Sequence, residues 1–284
     1  TGVEFAHMFA SFGSKVTLVV SRQQVLPSKD PEVAAVLEDS FLSRGVRLFK
    51  GARATSVERT ETGVRVVCDD GRVSETTHVV LAIGSLPNTE GLGLEEVGVV
   101  TDGGYIPINR HCQSNIEHIY AAGDVSGKLP LSSVASMQGR KVAEQVVGGP
   151  KGPHRHLDYD KAASAIFTEP EIVSVGLSPD EAKERGEQII TGKFPLAGNG
   201  RALTLEAEKT GGFIRVTARE SDHVILGIQA VGSHVAELHG EFVLALEMGA
   251  LLEDIADVVH AHPTMTEAFH EGILKTLGHA IHAA

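Results

Sequence analysis

The chain opens with the stretch Thr1-Gly-Val-Glu-Phe-Ala-His-Met-Phe-Ala-Ser-Phe-Gly13, which is followed after one residue by Lys15-Val-Thr-Leu-Val-Val20. The first run predicts a helix that ends at a glycine, and the second predicts a buried strand. A helix that leads into a strand is half of a βαβ unit, whose first strand this sequence lacks. Gly2 stands where the last glycine of a dinucleotide fingerprint would stand, although an ordinary small helical residue explains it equally well.

The same alternation continues to residue 83 and predicts an α/β domain. A helix is expected over residues 31–45, and Gly45 ends its apolar periodicity. Turn signals at Gly63 and at Asp70-Gly71 separate the strand patterns that follow. The expected strands are 46–49, 54–58, 64–68 and the apolar run 78–83. This part of the chain is therefore expected to form most of a nucleotide-binding α/β fold.

The rest of the chain divides at a linker. A strand expected at 117–122 runs into Gly123-Asp124, and a helix is expected over 131–147. The Gly- and Pro-rich stretch 148–153 predicts the linker. Beyond it the strand patterns are 162–167, 188–193, 212–218 and 224–231, and the helical patterns are 178–185, 234–248, 251–258 and 264–278. This half is expected to be an antiparallel α+β domain.

The composition is that of a globular chain. A net charge of −12 opposes binding to a phosphate backbone, so no nucleic-acid partner is expected. No apolar run reaches the roughly 18 residues that a membrane helix needs, and no signal-peptide pattern is present. Cys68 and Cys112 are too few for a disulfide framework, so the expected compartment is the cytoplasm.

One candidate ligand-binding residue follows an expected strand. Asp124 lies directly after the run 117–122 and next to Gly123. In open α/β sheets ligands bind beyond the carboxyl ends of strands, so this carboxylate is placed to hold a ligand hydroxyl. A turn aspartate that bonds its own backbone is an equally good interpretation of the same tetrapeptide.

A second candidate site lies in His262-Pro-Thr-Met-Thr-Glu267. The proline keeps His262 extended, just outside a helix expected to start near Thr264. Glu267 has two interpretations. It either caps that helix by accepting the Thr264 amide, or it bonds one imidazole nitrogen and leaves the other free for acid–base chemistry.

Neither metal binding nor thiol chemistry is expected from the residues present. Five of the 14 histidines crowd the end of the chain, but no cysteine accompanies them. His260 and His262 stand two apart, so they would point to opposite sides of an extended segment. Cys68 and Cys112 are expected to be ordinary thiols, and no metal is expected.

Five stretches of the sequence point together to one family. They are Gly2-Val-Glu4, Val80-Leu-Ala-Ile-Gly-Ser-Leu-Pro-Asn88, Ile119-Tyr-Ala-Ala-Gly-Asp124, Phe167-Thr-Glu-Pro-Glu-Ile-Val-Ser-Val-Gly176 and His260-Ala-His-Pro-Thr-Met-Thr-Glu-Ala268. In this order and at this spacing, the chain resembles the flavoprotein disulfide reductases (pyridine nucleotide–disulfide oxidoreductases), and among them the dihydrolipoamide dehydrogenases. The resemblance covers nearly the whole chain but only the later two thirds of a complete member. The chain is accordingly expected to be N-terminally truncated.

The resemblance implies three segments and two cofactors. Residues 1–83 would be a partial Rossmann-like NAD(P)-binding domain, 84–152 a returning segment of an FAD-binding domain, and 153–284 a C-terminal dimerisation (interface) domain. Asp124, Gly123 and Ser132 would contact FAD, with Ser132 at a helix N-terminus whose dipole favours negative charge on the flavin. The residues implied for NAD(P) are Gly2, Glu4, Val20, Ser21, Arg22 and Gly84.

The resemblance also assigns the acid–base chemistry. His262 would be the acid–base that completes the partner subunit's active site in a homodimer, and Glu267 would orient it. Electrons would pass between dihydrolipoamide, a cysteine pair upstream of this sequence, FAD and NAD(P). The resemblance also implies lipoyl domains of 2-oxo acid dehydrogenase complexes as protein partners.

Two departures from the pattern leave alternatives open. Val20, followed by Ser21 and Arg22, stands where NAD-preferring members have an acid, which favours tolerance of a 2′-phosphate and use of NADPH. Residues 14–105 also resemble NAD(P)H-quinone reductases, so a quinone or another disulfide is an alternative substrate. A third hypothesis is that this polypeptide alone is an inactive fragment that serves as a dimerisation module.

Overall fold

The computed structural model describes residues 1–148 and 156–282, so the predicted linker 148–153 lies, apart from Gly148, outside the described residues. The chain forms two compact units. The first combines residues 1–83 with 163–284, and the second is 84–162. Within the described residues, no helix is both long and apolar enough to cross a membrane.

The first 50 residues form the parallel α/β arrangement that their sequence predicts. Its elements are α1 (Gly2–Ser11), β1 (Thr17–Val20), α2 (Pro31–Ser43) and β2 (Arg47–Lys50). Strands β1 and β2 pair in parallel, with Thr17 opposite Arg47. Helix α2 begins after Asp30, whose carboxylate accepts the amides of Glu32 and Val33 and so caps the helix. Its apolar face packs against α1 and includes the fully buried Phe41.

The following segment corrects one strand prediction. Strands β3 (Ala54–Arg59), β4 (Val64–Cys68) and β5 (Val73–Thr76) form an antiparallel sheet, in which β5 was not predicted. The predicted strand at 78–83 is wrong. None of these six residues has strand structure, and Ile83 is 88% exposed. An apolar run becomes a strand only where a neighbour bonds its backbone, and no segment among the described residues pairs with it.

The C-terminal part has the predicted α+β character and is built on a five-stranded antiparallel sheet with strand order β6-β7-β10-β9-β8. The strands are β6 (Ser164–Ile166), β7 (Glu171–Gly176), β8 (Ile189–Pro195), β9 (Phe213–Arg219) and β10 (Ile225–Gly232). The helices are α4 (Pro179–Glu184), α5 (Gly200–Thr204), α6 (His239–Met248), α7 (Leu252–Ala256) and α8 (Glu267–Thr276). Strand β7 and helix α5 were not predicted from the sequence.

Both faces of this sheet are covered within the first unit. Alternate strand residues pack with α6 and α8, where the Phe242 and Phe269 rings lie 4.9 Å apart. Residues of the opposite face, including Ile172 and Phe213, join the cluster around α1 and α2. The buried Arg215 of β9 is paired there with Asp30, the α2 cap. The C-terminal sheet and the first 50 residues therefore share one core.

The second unit contains little regular structure. Its long helix is α3 (Ser132–Val146), close to the predicted span, and it has a small apolar core that includes Val99, Ile106 and Ala121. The predicted strand at 117–122 is wrong, because only an isolated bridge between Gln113 and Tyr120 forms. As at 78–83, the described part of the chain offers no neighbour along which a ladder could form.

Candidate active site around His262 and Glu267

The His262-Pro-Thr segment is a turn between α7 and α8, fixed to the core by its neighbours. Met265 is 8% exposed and belongs to the same buried cluster as Phe269 of α8. The side chain of His262 is 75% exposed. The turn therefore presents an exposed imidazole on a rigid base.

Glu267 both bonds the His262 imidazole and caps the turn, the two alternatives that the sequence left open. Its Oε1 lies 2.8 Å from Nδ1 of His262, and its Oε2 accepts the Thr264 amide at 2.7 Å. A carboxylate has two acceptor oxygens, so capping the turn and orienting the imidazole do not compete. The helix itself starts at Glu267, three residues later than expected, with Thr266 at the cap position.

These contacts fix the form in which His262 can react. A carboxylate only accepts hydrogen bonds, so Nδ1 carries the proton, and Nε2 of the neutral ring keeps its lone pair. Among the described residues, none is bonded to that Nε2. Burial opposes ionisation of Glu267, but hydrogen bonds from Thr264 and His262 lower the pKa of this carboxyl below its ordinary value. The pair is thus a carboxylate and an imidazole with one open, basic nitrogen.

His260 differs from His262 in its exposure. Its side chain is 7% exposed, and its Nε2 lies 2.8 Å from Oε1 of Glu241. Its ring contacts the His270 ring in a tilted arrangement, with ring centroids 4.9 Å apart. The described residues contain no group of three or more His, Cys, Asp or Glu side chains that could hold a metal ion.

A cavity of about 490 Å³ lies beside the turn. Its lining consists of Arg201, Leu205, His234, Pro263, Thr264 and Met265. Space for a ligand therefore exists next to the residues that follow His262. The lining is largely apolar, with Leu205, Pro263 and Met265, and Arg201 adds one cationic group.

The candidate FAD residues all belong to the second unit. Asp124 is exposed and begins a short 3-10 turn, and Gly123 has a φ of 83°, which favours glycine. Ser132 is exposed at the first position of α3, a helix with no side-chain cap. An exposed carboxylate and uncapped helix amides suit hydroxyl groups and a ring on which negative charge develops, so these residues fit a flavin.

The residue that holds the turn at Gly123 was not predicted from the sequence. Gln138 of α3 is fully buried, and its Oε1 accepts the Gly123 amide at 2.6 Å. Its Nε2 donates to Oγ of Ser126 at 3.2 Å and to the Tyr159 hydroxyl at 2.9 Å. The only signal in the sequence was a polar residue on the apolar face of a helix.

The candidate NAD(P) residues are only partly brought together. Gly2 begins α1, and a Cβ placed on it would lie 3.5 Å from the Cβ of Ala82. Val20 ends β1. Ser21 and Arg22 follow β1 and are exposed, and no side-chain contact of Arg22 is found within the described residues. Glu4 instead accepts the Phe167 amide at 3.1 Å, which ties α1 to the segment before β7.

Gly84 and the two cysteines complete the set of predicted positions. Gly84 has a φ of 117°, a conformation that other residues avoid. Cys68 and Cys112 are both buried and free. Burial raises the pKa of each thiol, which opposes thiolate formation, in line with their expected role as ordinary thiols.

Comparison with protein families decides the class of the chain. The model described as "Pyridine nucleotide-disulphide oxidoreductase" matches residues 1–139, and the dimerisation domain of the same family matches residues 162–273. The chain belongs to the pyridine nucleotide-disulphide oxidoreductase family. The resemblance expected from the five sequence stretches is thereby confirmed, together with the fold class of a Rossmann-like segment and a dimerisation domain.

The chain is similar to known proteins both in sequence and in structure. The chain is 38% identical over 99% of its length to a dihydrolipoyl dehydrogenase of Pseudomonas aeruginosa and 34% identical to one of Geobacillus stearothermophilus. Its structure is similar to LpdA from Mycobacterium tuberculosis, with a TM-score of 0.88 and 38% identity. It is also similar to the HOCl-induced flavoprotein disulfide reductase RclA of Escherichia coli, with a TM-score of 0.87 and 25% identity.

The match is partial from the relatives' side. The chain spans 59% of the length of each of these two dehydrogenases, and 58% and 61% of the LpdA and RclA chains, each of which matches 95% of this chain.

Proposed function

We propose that this chain provides the acid–base pair and later cofactor-binding segments of a homodimeric dihydrolipoyl dehydrogenase. The observation that carries the proposal is the contact of His262 Nδ1 with Glu267 beside an exposed, open Nε2. The family and the names of the relatives support the same reaction. The three-segment division at 83 and 152, and a cytoplasmic location, stay predictions.

His262 would move the proton that thiol–disulfide exchange requires. Only a thiolate attacks a disulfide, so a base must take the proton from the dihydrolipoamide thiol. The open Nε2 accepts it, and the negative charge of Glu267 stabilises the resulting imidazolium. Because the site is exposed, a substrate bound mainly by the partner subunit can reach it, as a dimeric arrangement requires.

The cofactor roles rest on the residues that fit them. Asp124 would accept hydrogen bonds from ribityl hydroxyls, and the uncapped start of α3 at Ser132 would stabilise negative charge on the flavin. Bound FAD would supply electron transfer between a cysteine pair and the nicotinamide. Gly2, Gly84 and the end of β1 would hold NAD(P), with Arg22 available for a 2′-phosphate.

The substrate is tested in a flavoprotein that joins this chain to the part of the Pseudomonas aeruginosa relative that it does not match. We expect dihydrolipoamide-dependent reduction of NAD(P)⁺ in the presence of FAD. A flavin-loaded protein that reduces a benzoquinone with NADPH but does not oxidise dihydrolipoamide would contradict the proposal and favour the quinone alternative. The unmodified Pseudomonas aeruginosa enzyme is the matched control.

A further inference from the structure

We infer that Asn199 is a positioning residue for His262, acting through the backbone of the His262-Pro-Thr turn. The inference rests on the proposed acid–base role of His262. Asn199 lies 63 positions earlier in the sequence and was not a candidate in the sequence analysis. It is a polar side chain that is only 3% exposed, so its hydrogen bonds determine whether its burial is tolerated.

The amide of Asn199 joins two elements. Its Oδ1 accepts the Ala202 amide at 2.8 Å and so caps α5. Its Nδ2 donates to the Thr264 carbonyl at 3.1 Å, two residues beyond His262. Both ends of one buried amide are thus used, one for its own helix and one for the turn.

Thr264 is consequently held at three atoms. Its amide donates to Glu267, its carbonyl accepts from Asn199, and its Oγ1 donates to the Ala261 carbonyl at 2.7 Å. The last bond spans His262 and Pro263. Glu267 therefore holds the turn from α8 and Asn199 holds it from α5, so the imidazole has a fixed support on two sides.

The residue after Asn199 lies against the imidazole itself. An ideal Cβ on Gly200 would lie 4.0 Å from Cε1 of His262 and meet no closer atom. The start of α5 therefore lies beside the carbon between the two ring nitrogens. Movement of this helix start would let the ring rotate away from Glu267, which is the physical basis for assigning Asn199 a positioning role.

Two substitutions separate the bond to Thr264 from the cap. Asn199→Asp keeps the shape and the acceptor for Ala202 but replaces the donor by an oxygen that faces the Thr264 carbonyl. Asn199→Ser keeps a good cap without adding charge, but its hydroxyl is too short to reach Thr264. A change that both variants share therefore reports the lost donor rather than the added charge.

The experiment is NMR of the 284-residue chain, which needs neither turnover nor flavin. The His262 imidazole is identified by the signal that disappears in His262→Gln. In both Asn199 variants we expect the neutral ring to lose its single Nδ1–H tautomer, and the Thr264 amide to exchange with solvent about 5–10-fold faster, the effect of losing one hydrogen bond. Amides of β9 and β10 serve as the control for global stability.

Each result bears on the inference. Unchanged His262 tautomer and Thr264 exchange in both variants, or acceleration no greater than in β9 and β10, would overturn it. If both variants fail to fold, Gly200→Ala decides, because its new methyl group must give a nuclear Overhauser effect to the Cε1 proton of His262. Absence of that effect would contradict the placement of α5. Failure of the proposed activity would leave these NMR results unaffected, so the two claims fail separately.

Discussion

Exposure and hydrogen-bond partners distinguish the two histidines of the His260-Ala-His262 segment. Each imidazole meets one carboxylate at 2.8 Å, but the His260 side chain is 7% exposed and that of His262 is 75% exposed. Both His260 nitrogens also have acceptors, since Nδ1 lies 3.2 Å from the Val258 carbonyl. His260 is therefore structural, whereas His262 keeps one nitrogen for a substrate.

The sequence could indicate the pair of His262 and Glu267 because both residues lie within one hexapeptide. It could not decide between capping and imidazole binding, since either use of the carboxylate fits the same spacing. Asn199 and Gln138 could not be found because their contacts depend on tertiary packing: Asn199 bonds Thr264, 65 positions away, and the partners of Gln138 are 12 to 21 positions away. Local patterns do not carry that information.

Arg22 gives a prediction about cofactor choice. Arg22→Gln should lower kcat/KM for NADPH about 10–100-fold in the joined flavoprotein, the value of a charge-assisted hydrogen bond, and leave NADH nearly unchanged. Wild-type turnover with NADPH should at least equal that with NADH. Steady-state kinetics with both nucleotides measure this, and a strong NADH preference of the wild type would contradict it.

Glu271 gives a prediction about pH. Burial opposes its ionisation, but hydrogen bonds from His282 and from the Ile281 and His282 amides lower the pKa of this carboxyl below its ordinary value. Its contribution to stability is therefore complete above the ordinary carboxyl pKa and is lost as the pH falls through the lowered pKa. Glu271→Gln should cost about 1–3 kcal/mol at neutral pH.

The measurement is denaturant unfolding of both proteins from about pH 7 down to about pH 3. The difference in the free energy of unfolding should shrink as the pH falls. A difference that stays constant across this range would show that the charge of Glu271 does not contribute.

At the scale of elements, α8 links the proposed active site to the sheet. It begins with Glu267, and Phe269 on its buried face is fully buried against Phe242. Phe269→Ala should lower the free energy of unfolding by about 3–5 kcal/mol, because it leaves a cavity in the core. Phe12→Ala is the matched control: its ring is 77% exposed, so its cost should be within about 0.5 kcal/mol. Equal effects in denaturant unfolding would contradict this packing.

Two strand predictions failed for one physical reason. The runs 78–83 and 117–122 have apolar strand patterns, but periodicity records only which side chains seek burial. A strand also needs a neighbour for its backbone groups, and neither run finds one among the described residues. Strands such as β9 and β10, which do have neighbours in this chain, were predicted to within one or two residues.

At the scale of the whole molecule, the dimer predicts a particular role for Val259. This side chain is 96% exposed although it is apolar, and it lies three residues before His262. If His262 reaches the partner's active site, we expect this nearby exposed side chain to lie at the same interface. Val259→Glu should then weaken dimerisation about 30-fold or more, since a charge would be buried at the interface.

The matched control is Val147→Glu, which adds the same charge at a valine that is 80% exposed at the end of α3. Light scattering across a dilution series measures both variants. A dimer that is weakened equally by both substitutions, or by neither, would contradict the placement of His262 at the interface.

The central claim is that His262 moves the thiol proton, and separate half-reactions test it most directly. In the joined flavoprotein, His262→Gln should slow flavin reduction by dihydrolipoamide about 100-fold or more, the usual contribution of an acid–base residue. Hydride exchange between the nicotinamide and flavin should be nearly unchanged in the same variant. Stopped-flow absorbance of the flavin follows both reactions, and equal loss of the two rates would contradict the account.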